Sequence, residues 1–298
     1  MTQELLFYGP PGTGKTQNIS NLIRSTIEEG IPPERIACVS FTRKAASESR
    51  ERVCKDWGLT ENMLPYFQTL HSMAYHAGGF KSSDVISKDD LEVIGDKVGL
   101  PFSTKSRGDT DFDMLGISDG DMYLGLHHLA RSKKMTLEQV YAEEANYDIQ
   151  WSLLVHLVDA YENFKSVRGK IDFTDMIEEF VRCDSPLGID ALFVDEAQDL
   201  STLQWDMINI LRQTCRTQVF TGDDDQAIMG FQGADVTAFQ NCTSNKQVLK
   251  QSFRVPQKPY EIAKDIVNRI RGRTQKAWYH TENPGSVYWH NYLEEVPL

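Results

Sequence analysis

Eight consecutive residues, Gly9-Pro10-Pro11-Gly12-Thr13-Gly14-Lys15-Thr16, carry the spacing GxxxxGK[ST]. Backbone N–H groups in such a loop wrap phosphate oxygens, the lysine neutralises the β- and γ-phosphate charge, and the hydroxyl after it ligates Mg²⁺. A helix starting there turns its positive end towards the same anion. Far downstream, the apolar run Ala191-Leu192-Phe193-Val194 ends in Asp195-Glu196. That order places two carboxylates at the C-terminal end of a buried strand, where α/β sheets bind ligands. Asp195 is expected to hold Mg²⁺, and Glu196 to orient and deprotonate an attacking water.

These residues need a frame. Leu5-Leu6-Phe7-Tyr8 reads as a buried strand that stops at Gly9, and Ile19, Leu22, Ile23 and Ile27 follow at helical spacing until Gly30 and Pro32-Pro33 close the helix. A second apolar run, Ile36 to Phe41, precedes a helical stretch from Lys44 to Lys55. Gln218-Val219-Phe220-Thr221 adds a further strand to the one ending at Val194. Strands alternating with helices predict βαβ units and a parallel sheet. Residues 81–170 differ: polar and loop-like over Lys105 to Asp113, then helical around Met122–Leu129 and Ile149–Phe164, with no strand-like run. They read as a mostly helical insertion between two halves of one sheet. After Gln247 come a strand-like Val248-Leu249, a helix from Gln257 to Arg271 and an alternation at Ser286–His290.

With 40% hydrophobic and 25% charged residues, the 298-residue chain can bury a substantial core. No apolar run approaches the ~20 residues of a membrane span, and the N-terminus has no signal-peptide character. Five scattered cysteines, never in a CxxC pair, argue against a zinc site or a disulfide framework and fit a reduced, cytoplasmic setting. The net charge of −12 weakly opposes a nucleic-acid reading, since a generic DNA coat would be basic, so any contact with DNA must be focused in a local basic groove.

The phosphate loop and acidic pair alone allow kinases, transporters, GTPases and AAA proteins; the surrounding residues narrow the class. Asp195-Glu196-Ala197-Gln198-Asp199 resembles motif II of superfamily 1 helicases of the UvrD/Rep type. Val39-Ser40-Phe41-Thr42-Arg43-Lys44-Ala45-Ala46 resembles motif Ia, and Phe67-Gln68-Thr69-Leu70-His71-Ser72 resembles motif Ib. Ile171-Asp172-Phe173-Thr174-Asp175 is similar to the lead-in to motif II. Thr221-Gly222-Asp223-Asp224-Asp225-Gln226-Ala227-Ile228 with Phe231-Gln232-Gly233-Ala234 resembles motif III, and Leu249-Lys250-Gln251-Ser252-Phe253-Arg254 resembles motif IV. The motifs stand in the family's order over nearly the whole chain.

The resemblance implies a role for each matching position. Gln198 and Gln226 sense the γ-phosphate and couple it to the DNA groove, Phe253 stacks on adenine, and Arg254 reaches the γ-phosphate. Phe41 and Phe231 stack on bases, while Thr42, Arg43, Thr69 and His71 contact the strand. Stacking on aromatic faces tolerates any base, which suits a motor that steps over every sequence. The chain departs from the pattern in places. Phe231-Gln232 stands where Trp-Arg is usual, which implies a smaller platform and one cation fewer. Arg43 replaces a common Asn, and Gln17 replaces an Arg after the loop's Thr16. The adenine-reading Gln ahead of the loop has no counterpart in the eight residues before Gly9.

The expected architecture is α/β: a RecA-like P-loop NTPase parallel sheet from residues 1–80 and 171–245, a helical insertion at 81–170, and the start of a second RecA-like domain at 246–298. The expected activity is ATP- and Mg²⁺-dependent translocation on single-stranded DNA and unwinding at single-strand/duplex junctions, 3′ to 5′. Motifs V and VI are not found before Leu298, so a separate polypeptide carrying them is an expected partner. The alternative is a nucleotide-gated DNA-binding subunit with little activity of its own. A P-loop phosphotransferase leaves the helicase motifs unexplained.

Overall fold

The computed structural model describes residues 2–103, 118–144 and 149–288. The chain begins with β1 (Gln3–Tyr8), whose last four residues are all buried. Next come α1 (Lys15–Glu28), β2 (Ile36–Val39), α2 (Arg43–Trp57), β3 (Tyr66–Gln68) and α3 (Leu70–Ala77). Among the described residues, four helices follow without a strand: α4 (Lys88–Val98), α5 (Asp119–Lys133), α6 (Leu137–Glu144) and α7 (Trp151–Arg168). The chain then forms α8 (Phe173–Cys183), β4 (Ala191–Val194), α9 (Thr202–Leu211), β5 (Thr217–Gly222), α10 (Val236–Asn241), β6 (Lys246–Val248) and α11 (Gln257–Val267).

Among the described residues, six strands form one sheet in the order β3-β2-β4-β5-β1-β6, with every pair parallel. Such a sheet must be covered on both faces, and the alternation of side chains supplies two cores. Leu6, Tyr8, Val39, Val194 and Phe220 point to one side, where α3, α8 and α9 bring Met73, Ile177 and Met207. Leu5, Phe7, Cys38, Phe193 and Val219 point to the other, against Ile19 and Ile23 of α1 and Val53 of α2. The arrangement is the RecA-like α/β fold.

The helices from α4 to α7 build a separate core around Ile94, Leu124, Val140, Leu154 and Leu157. A parallel bridge between Val85 and Ile171 joins the two ends of this stretch. Its junction with the sheet domain is ionic and buried. Arg131 of α5 and Lys165 of α7 face Asp172, Asp175 and Glu178 at the start of α8. Arg131 Nη1 lies 2.9 Å from Asp172 Oδ2, and Lys165 Nζ lies 2.7 Å from the same oxygen.

Several element boundaries differ from the sequence expectation. β2 ends at Val39 because Thr42 caps α2, accepting a hydrogen bond from Ala45 N at 3.1 Å, so Ser40 and Phe41 are already turning. α11 stops at Val267 rather than Arg271; Gly272 takes a left-handed conformation (φ 76°) just before Arg273 pairs with Asp225. β6 pairs with β1 at the edge of the first sheet. The polar stretch Lys105 to Asp113 lies outside the described residues, as does the end of the Ser286–His290 alternation, and residues 286–288 form no strand. Among the described residues, no helix is long and apolar enough to cross a membrane.

Candidate functional site

The C-terminal ends of β1, β4 and β5 open on one edge of the sheet, and β5 lies between the other two. From β1 the chain enters the glycine-rich loop, where Gly12 (φ 74°) and Gly14 (φ 78°) adopt the left-handed backbone that favours glycine. Gly9 is required for a different reason. A Cβ there would fall 2.0 Å from Lys15 Cγ, so the lysine stem lies across the glycine. Thr13 Oγ1 donates to Pro10 O at 2.8 Å and braces the turn. Gly14 opens α1 without a side-chain cap, leaving its first N–H groups to face a phosphate.

From β4 the chain delivers the two acids. Asp195 Oδ1 accepts hydrogen bonds from Thr221 Oγ1 at 2.6 Å and from Glu196 N at 3.0 Å; Asp195 Oδ2 lies 3.5 Å from Thr16 Oγ1. Glu196 has a left-handed backbone (φ 51°), uncommon for a non-glycine residue. Its Oε2 sits 3.2 Å from Lys15 Nζ. Lys15, Thr16, Asp195 and Glu196 are thus gathered from opposite halves of the sequence. Oxygen donors from a carboxylate and a hydroxyl are a hard set that suits Mg²⁺.

Gln198 links the two acidic loops. Its Nε2 donates to Glu196 Oε2 at 3.2 Å and Asp199 Oδ2 at 2.8 Å, while its Oε1 accepts from Asp223 N at 3.1 Å. A Cβ at Gly222 would come within 2.4 Å of that Oε1, which explains a glycine at the end of β5. Gln226 Nε2 donates to Asp223 Oδ2 at 2.6 Å. Burial, with the Glu196 charge beside it, pushes Asp199 up to about 7.

The segment after β6 closes over the loop from the other side. Ser252 Oγ donates to Pro11 O at 2.9 Å and Phe253 N to Gly12 O at 2.8 Å. A Cβ at Gly12 would stand 2.7 Å from Arg254 Cβ, so Gly12 also permits this close approach. Phe253 is 77% exposed, with its ring edge near Gly14. Arg254 is exposed.

The residues expected to contact a strand are less concentrated. Arg43, Thr69 and His71 line a cavity of about 610 Å³ together with Arg50, Gln68 and Tyr75. Phe41 and His71 line a smaller neighbouring cavity with Gln232. Thr69 is buried, and its hydroxyl caps α3 by accepting from Ser72 N at 3.2 Å, as Thr42 caps α2. Phe231 stands exposed on a 3-10 turn and lines neither cavity; its loop packs through Gly233 against Ser132 and Leu129 of α5.

Sequence reasoning missed Thr221, Ser252, Arg50 and the pair Arg273 and Lys276, which grip the Asp223-Asp224-Asp225 run. Thr221 and Ser252 lay within the quoted motifs and showed no signal of their own. Arg273 and Lys276 are isolated in sequence.

A parallel RecA-like sheet with a phosphate loop and an acidic strand end at one edge defines a P-loop NTPase. Within that class the chain belongs to the UvrD/REP helicase family, whose N-terminal domain it matches over residues 1–247. It is 26% identical over 294 residues to a probable DNA helicase of Mycoplasma pneumoniae, an alignment covering 91% of this chain and 54% of that protein. It is 25% identical over 296 residues to the ATP-dependent DNA helicase PcrA of Leuconostoc citreum, covering 94% of this chain and 39% of that one. Among solved structures, the Pif1 helicase from Candida albicans aligns with 89% of this chain and 40% of its own at 13% identity and a TM-score of 0.36. The chain spans about half or less of the length of these curated relatives.

Proposed function

We propose that this chain is the ATP-hydrolysing part of a DNA helicase that moves 3′ to 5′ along single-stranded DNA and acts at single-strand/duplex junctions. The observation that carries the reading is the convergence of Lys15, Thr16, Asp195 and Glu196, tied through Gln198 to Asp223 and Gln226. Lys15 and the loop N–H groups bind the β- and γ-phosphates. Thr16 and Asp195 would hold Mg²⁺, which offsets phosphate charge. Glu196 takes the proton of the attacking water, and Lys15 at 3.2 Å helps to aim that carboxylate. Gln198 and Gln226 read the γ-phosphate. Phe253, exposed beside the loop, offers its face to adenine, and Arg254 supports the γ-phosphate.

DNA runs across Phe41, Thr42, Arg43, Thr69, His71 and Phe231. Support comes from the two adjoining cavities that share His71, one of them lined by Arg43 and Arg50. An acidic chain needs such a local basic groove. Residues 1–80 and 171–245 form the motor core, whose sheet β6 completes, 81–170 an insertion, and the remainder of 246–298 the opening of a second motor domain. Ile266 near the end of α11 and Ile270 just beyond it are 57% and 41% exposed, apolar surface for a polypeptide carrying the family's C-terminal motifs. The proposed setting is the cytoplasm.

ATP hydrolysis measured with and without single-stranded DNA tests the reading, alongside strand displacement with the C-terminal motifs supplied. Turnover that rises with DNA and disappears in Lys15→Ala is the expected result. Turnover indifferent to DNA would overturn the motor reading, and hydrolysis surviving in Lys15→Ala would overturn the site.

A further inference from the structure

The run Asp223-Asp224-Asp225 follows β5 at the rim of the nucleotide site, and its carboxylate oxygens lie within 4.8 Å of one another. Three acids so close, two of them buried, repel one another and any triphosphate nearby. The space between them is filled by Lys276. Its side chain is fully buried, with Nζ 2.7 Å from Asp223 Oδ1, 3.0 Å from Asp225 Oδ2 and paired with Asp224 Oδ1. Arg273 makes a two-pronged contact with Asp225, both arms at 2.6 Å. Thr274 N and Gln240 Nε2 donate to the second oxygen of Asp224, at 2.6 and 2.7 Å. The same segment reaches β1: Thr274 Oγ1 donates to Tyr8 OH at 3.1 Å, and Lys276 Nζ lies 5.3 Å from the centre of the Tyr8 ring. Residues 273–276 therefore span the ends of the strands leading to the phosphate loop and to motif III.

Asp223 gives the clamp its consequence. One of its oxygens takes Lys276, the other takes Gln226 Nε2 at 2.6 Å, and its backbone N–H donates to Gln198 Oε1, whose amide holds Glu196. We infer that Lys276 is a positioning residue for ATP turnover: by fixing Asp223 it fixes the amide of Gln226, and it couples the segment after α11 to the hydrolytic edge. Burial alone would discharge an isolated lysine; the Asp223 and Asp224 carboxylates hold this one charged. The inference deepens the helicase reading and rests on it for its kinetic consequence, while the geometric link from Lys276 to Gln226 is tested independently.

Two measurements on the full chain decide it. In Lys276→Met, with the folded fraction counted by fluorescent ADP binding, DNA-stimulated kcat should fall about tenfold while KM for ATP stays within about twofold. Combining it with Gln226→Ala should cost nothing beyond Gln226→Ala alone, Lys276→Arg should recover part of the rate, and Lys258→Met on exposed α11 should behave as the parent. If the lone substitution fails to fold, Asp224→Asn with Lys276→Met removes one acid with the cation and takes its place. The second measurement is side-chain amide hydrogen exchange by NMR, in which the Gln226 Nε2 protons should exchange at least about tenfold faster once Lys276 is lost. Unchanged kcat in folded variant, or losses that multiply with Gln226→Ala, would overturn the kinetic role. Unchanged Gln226 exchange would overturn the link itself. If the parent chain shows no DNA-stimulated hydrolysis, the helicase reading fails, and the exchange measurement still decides what Lys276 does.

Discussion

Two buried ionic clusters join appended segments to the same sheet domain, and their difference shows what an ion pair can be used for. At the foot of the helical insertion, Arg131 and Lys165 meet Asp172, Asp175 and Glu178 of α8. At the rim of the nucleotide site, Arg273 and Lys276 meet Asp223, Asp224 and Asp225. In both, acids of the sheet domain face cations of the appended segment, and in the first Glu162 of α7 adds an acid from the insertion itself. What differs is the partner of the acid's other oxygen. Asp172 Oδ1 accepts from Asp175 N at 2.8 Å and closes a helix cap; Asp223 Oδ2 accepts from Gln226 and fixes a side chain of the candidate site. The first cluster holds the insertion in place, and the second transmits position. Loss of the first should cost stability, and loss of the second should cost rate.

The largest expected effect sharpens that contrast. Lys165→Met strands Asp172 and Asp175 without one of their two buried cations, and breaking a buried pair this way costs about 3–5 kcal/mol. Urea unfolding should show that loss, while nucleotide affinity of the folded protein stays unchanged. A loss below about 1 kcal/mol, or weakened nucleotide binding, would break the comparison. The cluster should also set the acid limit of stability. Burial opposes ionisation of Asp172, but His128, Arg131 and Lys165 hold its carboxyl well below the usual range; the His127 hydrogen bond and Lys165 hold Glu162 at about 2 against the same opposition. Groups depressed in the folded state contribute stability above their unfolded values, 3.8 and 4.5, and lose it as pH falls through the folded ones. Unfolding should therefore begin as pH drops below about 4, and Lys165→Met should flatten that slope.

Phe41→Ala and Phe231→Ala come next. Each should weaken single-stranded DNA binding by about 1–3 kcal/mol with little change in nucleotide affinity, and binding should fall as salt rises. Fluorescence anisotropy checks both. Parent-like binding in the two variants would make these rings part of the fold only.

The smallest effect concerns Asp199. With its value raised from 3.8 to about 7, the folded state keeps a proton that the unfolded state releases, so stability falls as pH rises across that window and levels off above it. Asp199→Asn should remove that decline between pH 5 and pH 8 in thermal melts. A parallel decline in the variant would show that another group titrates there.

The glycine-rich loop was legible because its pattern is local: eight contiguous residues carry it, and their own backbone would wrap one anion. The acidic pair was legible because an apolar run ending in charge marks a strand end. The rest is held by contacts between distant residues, which spacing does not encode. Lys276 and Asp223 are far apart in sequence, and no pattern marks a lone lysine for burial among three acids. Ser252 reaches the loop only because β6 joins the edge of the sheet beside β1. β3, three residues long, was too short to read as a strand, and no spacing marks Arg273, beyond the end of α11, for its pair with Asp225. Thr42 and Thr69 stood in motifs associated with DNA, and the structure adds that their hydroxyls cap helices.

ATP hydrolysis at the edge formed by β1, β4 and β5, as proposed, depends on Glu196 as the base. Steady-state hydrolysis of Glu196→Gln in saturating single-stranded DNA tests it most directly. ATP binding should stay close to the parent's and turnover should fall by about 10²–10⁴-fold, the usual worth of a positioned general base. Turnover at the parent's rate would contradict it.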